Sequence, residues 1–190
     1  DQRYVFVANL GSDTVSWLDA PPAGALAEIP VPDRPYGLAF TPDGAHLLVT
    51  HLLSGGVTVI IMDGGTLGPV TTWANVAPAP GVIVNTVGDR AYLPQTMAHG
   101  LGLNTQFDNS VFAKVSVLNL EDFTHQTSEH ISLPETDQPV GLPWDAALAK
   151  NETELWVVNA GSNDISVVDI SDPTRPMRLA HITVGHNPRG

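Results

Sequence analysis

The chain carries the same hairpin more than once, and that repetition constrains its fold more than any other feature. VFVANLGSDTVSWLDA, from Val5 to Ala20, aligns without a gap on LWVVNAGSNDISVVDI, from Leu155 to Ile170. The two copies share Val7/Val157, Asn9/Asn159, Gly11/Gly161, Ser12/Ser162, Ser16/Ser166 and Asp19/Asp169. Each reads as an apolar strand, a turn of Gly, Ser, Asn and Asp, and a second strand in which polar and β-branched residues alternate, which is the pattern of a β-hairpin. Leu48–His51 with Val57–Ile60 is another copy, and Tyr92–Gln95 with Val115–Leu118 is a third in chain order, its turn interrupted by an insertion from Thr96 to Lys114.

A second signature recurs between the hairpins. Pro35-Tyr36-Gly37-Leu38 runs into Pro42-Asp43-Gly44, and its relatives are Pro80-Gly81-Val82, Pro139-Val140-Gly141-Leu142 and the terminal Pro188-Arg189-Gly190. Proline fixes φ ahead of a short apolar strand, and Pro-Asp-Gly closes the turn into the next hairpin. After each hairpin comes one more extended segment, as in Ala27–Val31, Val70–Trp73, His130–Leu133 and Leu179–Val184. Four short strands per unit, at a period near the ~40–45 residues of a propeller blade, predict an all-β chain of four-stranded antiparallel β-propeller blades. A β-sandwich also has short strands and turns, but it does not repeat one four-strand order in register. The expected blades are about 1–36, 37–80, 81–140 and 141–189. Helical periodicity is weak throughout, and its best stretch, Trp144–Lys150, is too short to stand as a helix unaided. By alignment, Asp1-Gln2 falls at the place of Asp43-Gly44 and Gly190 at that of Gly37. The blade begun at Tyr4 is therefore expected to lack its inner strand within these residues, and the whole to belong to a larger ring.

Composition removes several function classes. A formal charge of −12 disfavours nucleic acid and anionic lipid as partners. The absence of cysteine excludes disulfides, thiolate metal sites and covalent c-type haem attachment within this stretch. The longest apolar run, around Val57–Met62, is too short to insert in a membrane.

The Pro35–Gly44 segment, Tyr4–Asn9 and Ser162–Asp169 resemble the YVTN-type repeats of bacterial and archaeal seven-bladed propellers, and the resemblance covers nearly the whole chain. The departures are the long third turn and the stretch after Gly141, where Pro143-Trp144-Asp145-Ala146 stands in place of the usual continuation. That family includes lactonase-like enzymes, amine dehydrogenase heavy chains, surface-layer proteins and propellers joined to c-type cytochrome or di-haem peroxidase-like modules. The resemblance implies a periplasmic or extracellular protein. Its leading expectation is a non-catalytic scaffold supporting a partner domain such as a c-type cytochrome, with haem c in that neighbour and no cofactor in this segment. The alternatives are a propeller enzyme, as a lactonase-like hydrolase or a quinoprotein amine dehydrogenase large subunit, and a surface-layer or adhesive protein.

In a propeller, ligand sites collect where the loops entering the inner strands meet the loops joining the second and third strands. Alignment places Asp33, Arg34, Gln138, His186, Asn187 and Arg189 in the first set, and Asn9, His51, Gln95 and Asn159 in the second. The last four share one position across the blades, so they form either a polar arc around a ligand or a device that each blade uses for its own turn. His51, His99 and His186 are the candidate metal ligands, although no local spacing supports them. Asp13, Asn163 and Asp164 are conceivable Ca²⁺ ligands that equally serve as turn residues. Met97, His99, Phe107 and Phe112 put apolar surface on the third turn, which suits docking of a partner protein or folding back onto the blade. Asp33, Asp137 and Asp145 are carboxylates that could pair across blades, and Trp17, Trp73, Trp144 and Trp156 read as packing residues.

Overall fold

The computed structural model describes residues 4–19, 24–63, 66–73, 76–98, 111–122, 130–134 and 139–190. The hairpin repeat becomes a series of antiparallel sheets. The first consists of β1 (Tyr4–Asn9), β2 (Thr14–Asp19) and β3 (Gly24–Pro30). The second runs β4 (Pro35–Phe40), β5 (His46–His51), β6 (Val57–Asp63), β7 (Thr66–Trp73) in consecutive order. The third is β8 (Ile83–Val84), β9 (Arg90–Ala98), β10 (Val111–Asn119), β11 (His130–Ser132), and the fourth β12 (Pro143–Ala149), β13 (Glu154–Asn159), β14 (Asp164–Asp169), β15 (Met177–Thr183). This is a partial β-propeller of about four blades, three of them four-stranded and the first three-stranded among the described residues. Equivalence reaches local irregularities: the pairing slips between Trp17 and Leu18 in the first sheet and between Val167 and Val168 in the fourth, the same place in the repeat.

The core lies between sheets rather than within them. Alternation sends Tyr4, Phe6, Val15 and Trp17 from the first sheet against Leu47, Val49, Ile60 and Met62 of the second. Leu48, Val57 and Val59 then meet Leu93 and Leu118 of the third, whose other face gives Tyr92, Val115 and Val117 to Leu155, Val157 and Val168 of the fourth. Each buried Leu, Val or Ile at these interfaces contributes about 1.5–3 kcal/mol relative to exposure. The face of the first sheet turned away from the second shows what an uncovered interface looks like. Val5 and Val7 are 44% and 41% exposed there, whereas their equivalents Leu47 and Val49 are 1% and 0%.

Two sequence expectations shift. Trp144–Lys150 carries no helical turn: Pro143–Ala149 is the inner strand β12. The register also moves the proline signature, because Pro35 pairs with His51 and Pro143 pairs with the equivalent Asn159. Arg34, Leu142 and Asn187, each just before a proline, share φ values of 52°, 52° and 53°. Pro143-Trp144-Asp145 is therefore the counterpart of Pro35-Tyr36-Gly37, and Pro139-Val140-Gly141 precedes it. Sequence alone chose the wrong proline because glycine, the more visible part of the signature, is replaced at this one blade.

Candidate functional site

The inner strands converge at a cleft of about 390 Å³ lined by Tyr36, Gly37, Leu38, Pro80, Gly81, Val82, Trp144, Asp145 and Arg189. The glycines are there because the strands approach so closely. A Cβ on Gly37 would lie 2.6 Å from Thr50 Oγ1 and 3.0 Å from the Pro80 carbonyl oxygen. In the fourth sheet that position is Asp145, and its neighbours make room for the carboxylate: a Cβ on Gly81 would stand 3.1 Å from Asp145 Oδ1, and one on Gly190 3.2 Å from Oδ2. Asp145 Oδ1 accepts the Ala146 amide at 2.9 Å, which aims the carboxyl group.

Aromatic and cationic groups surround it. Tyr36 and Trp144 meet edge to face at 5.7 Å, and the Arg189 guanidinium lies 4.3 Å from the Trp144 ring centroid. Trp144, expected to be a packing residue, thus forms a wall of the cleft. Arg189 is held from behind: its Nε donates to Asn187 Oδ1 at 3.3 Å, and the Asn187 amide donates to Asn163 Oδ1 at 2.8 Å. The Arg34 amide donates to Asp13 Oδ1 at 2.8 Å in the same way. Asp13 and Asn163 therefore splice each turn to the loop that enters the next inner strand, while Asp164 is taken by Asn159 and His181.

The polar arc turns inward. Asn9 Nδ2 donates to Ser16 Oγ at 2.6 Å and Asn159 Nδ2 to Ser166 Oγ at 2.9 Å, His51 Nε2 meets Thr58 Oγ1 at 2.8 Å, and Gln95 Nε2 donates to Ser116 Oγ. From the hydroxyl the ladder continues to the outer strand: Ser16 donates to Glu28 at 2.6 Å, and Thr58 and Thr72 share a bond of 2.8 Å. His51, Gln95 and Asn159 are fully buried, so each ties the two middle strands of its own blade together, and in the first two sheets the ladder reaches the outer strand as well. The Ser16 and Thr14 hydroxyls hold the Glu28 carboxylate below its usual range, and burial holds the His51 imidazole below its own.

The other expected site residues scatter. Arg34, His186, Asn187 and Arg189 are exposed, and Asp33 is half-buried. His51 and His186 join no group of three His, Asp or Glu side chains arranged to hold a metal among the described residues. Thr96–Ala98 and Val111–Lys114, assigned to the insertion, extend β9 and β10, with Met97 opposite Phe112 and the Phe112 ring 6.4 Å from that of His130. His99, Phe107, Asp137 and Gln138 lie outside the described residues.

No protein-family model and no curated protein sequence matches the chain. Solved structures do. The periplasmic gluconolactonase of Pseudomonas aeruginosa matches with a TM-score of 0.71 at 22% identity, covering 99% of this chain and 53% of that one. A Bacteroides fragilis protein described as a 6-phosphogluconolactonase gives a TM-score of 0.73 at 17% identity, covering 98% of this chain and 53% of that one. Hydrazine synthase of Kuenenia stuttgartiensis gives 0.59 at 14% identity, with coverages of 98% and 73%. The chain is a β-propeller fold similar to theirs, and it spans about half the length of the two lactonase-named structures. This corrects the leading expectation of a non-catalytic scaffold for a cytochrome module: the structures that share this fold over nearly the whole chain include two that are named as lactonases.

Proposed function

We propose that this chain is part of a lactonase-like propeller enzyme that hydrolyses a sugar lactone at the cleft of Tyr36, Trp144, Asp145 and Arg189. The observation that carries the reading is Asp145, an acid standing at the inner-strand position that other blades give to glycine, with glycines on both sides shaped around its carboxylate. The names of the similar structures supply the reaction class. Lactone hydrolysis needs a base to take a proton from water as its oxygen bonds to the carbonyl carbon. A cation must then steady the oxyanion, and the proton must return to the ring oxygen as the ester C–O bond breaks. Asp145 is the base and the proton carrier, Arg189 the cation, and Trp144 with Tyr36 the wall against which a sugar ring stacks. We further read the repeats as YVTN-type, from their motifs alone, and the location as periplasmic, where the periplasmic gluconolactonase neighbour is in keeping with it.

The test is hydrolysis of gluconolactone and of 6-phosphogluconolactone by the full-length protein, followed by acid release in weakly buffered solution. Asp145→Asn is expected to lower kcat by about 10²–10⁴-fold, the usual worth of a general base, with the fold intact by circular dichroism. Wild-type protein inactive on both lactones, or Asp145→Asn as active as wild type, overturns the assignment.

A further inference from the structure

The guanidinium at the cleft is held on two sides and left open on the third. Val184 and Asn187 both donate backbone amides to Asn163, at 2.9 Å to its carbonyl oxygen and 2.8 Å to its Oδ1, so the loop that carries Arg189 is pinned to the β13–β14 turn. The first connection repeats that splice, with the Val31 and Arg34 amides donating to Asp13 at 3.0 and 2.8 Å. The later connection adds one bond to the shared pattern, from Arg189 Nε to Asn187 Oδ1 at 3.3 Å. The guanidinium also lies 4.3 Å from the Trp144 ring centroid. These contacts take up one edge and one face of the group. Its two amino groups have no hydrogen bond or ion pair with the described residues, although Asp145 lines the same cleft.

We propose that Arg189 is a carboxylate-binding fork, and that the cleft retains the hydroxy acid formed by its own reaction. The identity of the acid rests on the lactonase reading; the fork rests on the geometry. Opening a lactone with water breaks the ester C–O bond and leaves a hydroxyl group and a carboxylic acid, which ionises to a carboxylate at neutral pH. Two parallel N–H groups match the two oxygens of that carboxylate, whereas the lactone offers a single uncharged carbonyl oxygen. The fork therefore grips product more firmly than substrate, and product slows the reaction. Among the described residues, Asp145 is the one acid lining the cleft, and its charge opposes a bound carboxylate, so retention is a balance between these two side chains.

Calorimetric titration of the full-length protein with gluconate, and with gluconamide as its uncharged counterpart, tests the fork without turnover. Inhibition of gluconolactone hydrolysis by gluconate tests the retention. Gluconate is expected to bind about 10-fold more tightly than gluconamide and to inhibit competitively with Ki below KM. Asn187→Gly keeps the left-handed backbone, at φ 53°, and removes only the side chain whose oxygen orients the guanidinium, so Kd for gluconate should rise about 2–10-fold. Arg189→Lys keeps the charge but loses the fork, and should raise Kd about 10-fold. Asp145→Asn, slow as an enzyme, should bind gluconate roughly 3-fold or more tightly than wild type. Gluconate binding no better than gluconamide, or an Arg189→Lys protein that binds it as tightly as wild type, overturns the fork. Hydrolysis with Ki far above KM overturns the retention. Absence of hydrolysis defeats the lactonase reading and with it the identity of the acid, while the gluconate titration still decides the fork.

Discussion

Thr58→Val is the sharpest probe of the polar ladder, because valine matches threonine in shape and deletes only the hydroxyl. Thr58 and His51 are both 0% exposed, and the hydroxyl serves His51 Nε2 at 2.8 Å on one side and Thr72 Oγ1 at 2.8 Å on the other. The imidazole has nowhere else to turn, since its Nδ1 lies toward the Pro32–Asp33 backbone without closing a well-formed bond. Valine therefore leaves a buried ring nitrogen unpaired, which costs about 1–3 kcal/mol. In a protein of this size that corresponds to a fall in Tm on the order of 2–12 °C. Urea unfolding of wild type, Thr58→Val, His51→Leu and the double variant measures the coupling directly. Because two apolar partners leave nothing unsatisfied, the double variant should lose less than the sum of the singles by ~1 kcal/mol or more. A Thr58→Val protein within ~0.5 kcal/mol of wild type, or strictly additive singles, would refute the ladder and return His51 to the candidate ligand face.

Further expectations follow from the same geometry. Because folding depresses the His51 pKa, its contribution is fully present above the unfolded value near ~6.5 and is lost progressively as pH falls from there through the lower folded value, so Tm should decline from pH 7.5 to 5.5. His51→Asn, copying the first and fourth sheets, should flatten that decline, as calorimetry across the range will show. Gly81→Ala drives a methyl group to 3.0 Å from the Trp144 carbonyl oxygen and 3.1 Å from Asp145 Oδ1, and should cost about 1–3 kcal/mol in denaturant unfolding. Glu152 accepts the Thr86 amide at 2.8 Å and its hydroxyl at 2.9 Å, so Glu152→Ala should lose about 1 kcal/mol by the same measurement.

The fold was legible because repetition multiplies a weak signal. One hairpin such as Val5–Ala20 is ambiguous alone, but its recurrence fixed strand order and register, and the structure pairs Val7 with Ser16 as it pairs Val157 with Ser166. The reading of Asn9, His51, Gln95 and Asn159 left two possibilities open, and only burial with cross-strand bonds to Ser16, Thr58, Ser116 and Ser166 could choose between them. The cleft was harder to see. Asp145 was noted as a carboxylate, yet its meaning came from standing at a glycine position, and that equivalence depends on pairing Pro143 with Asn159.

The turn between β12 and β13 has a wider consequence. Lys150, Asn151 and Glu152 take φ values of 49°, 57° and 66°, a left-handed run without glycine that costs roughly 1–2 kcal/mol at each ordinary residue. Glycine at position 152 would relieve its share of that cost, but it would also remove the carboxylate that grips Thr86 of the preceding sheet. Local comfort and cooperativity are therefore opposed at this turn. Glu152 adds a polar latch at the sheet ends to the apolar interface that already joins the third and fourth sheets, so a glycine variant is expected to loosen their coupling while easing the turn.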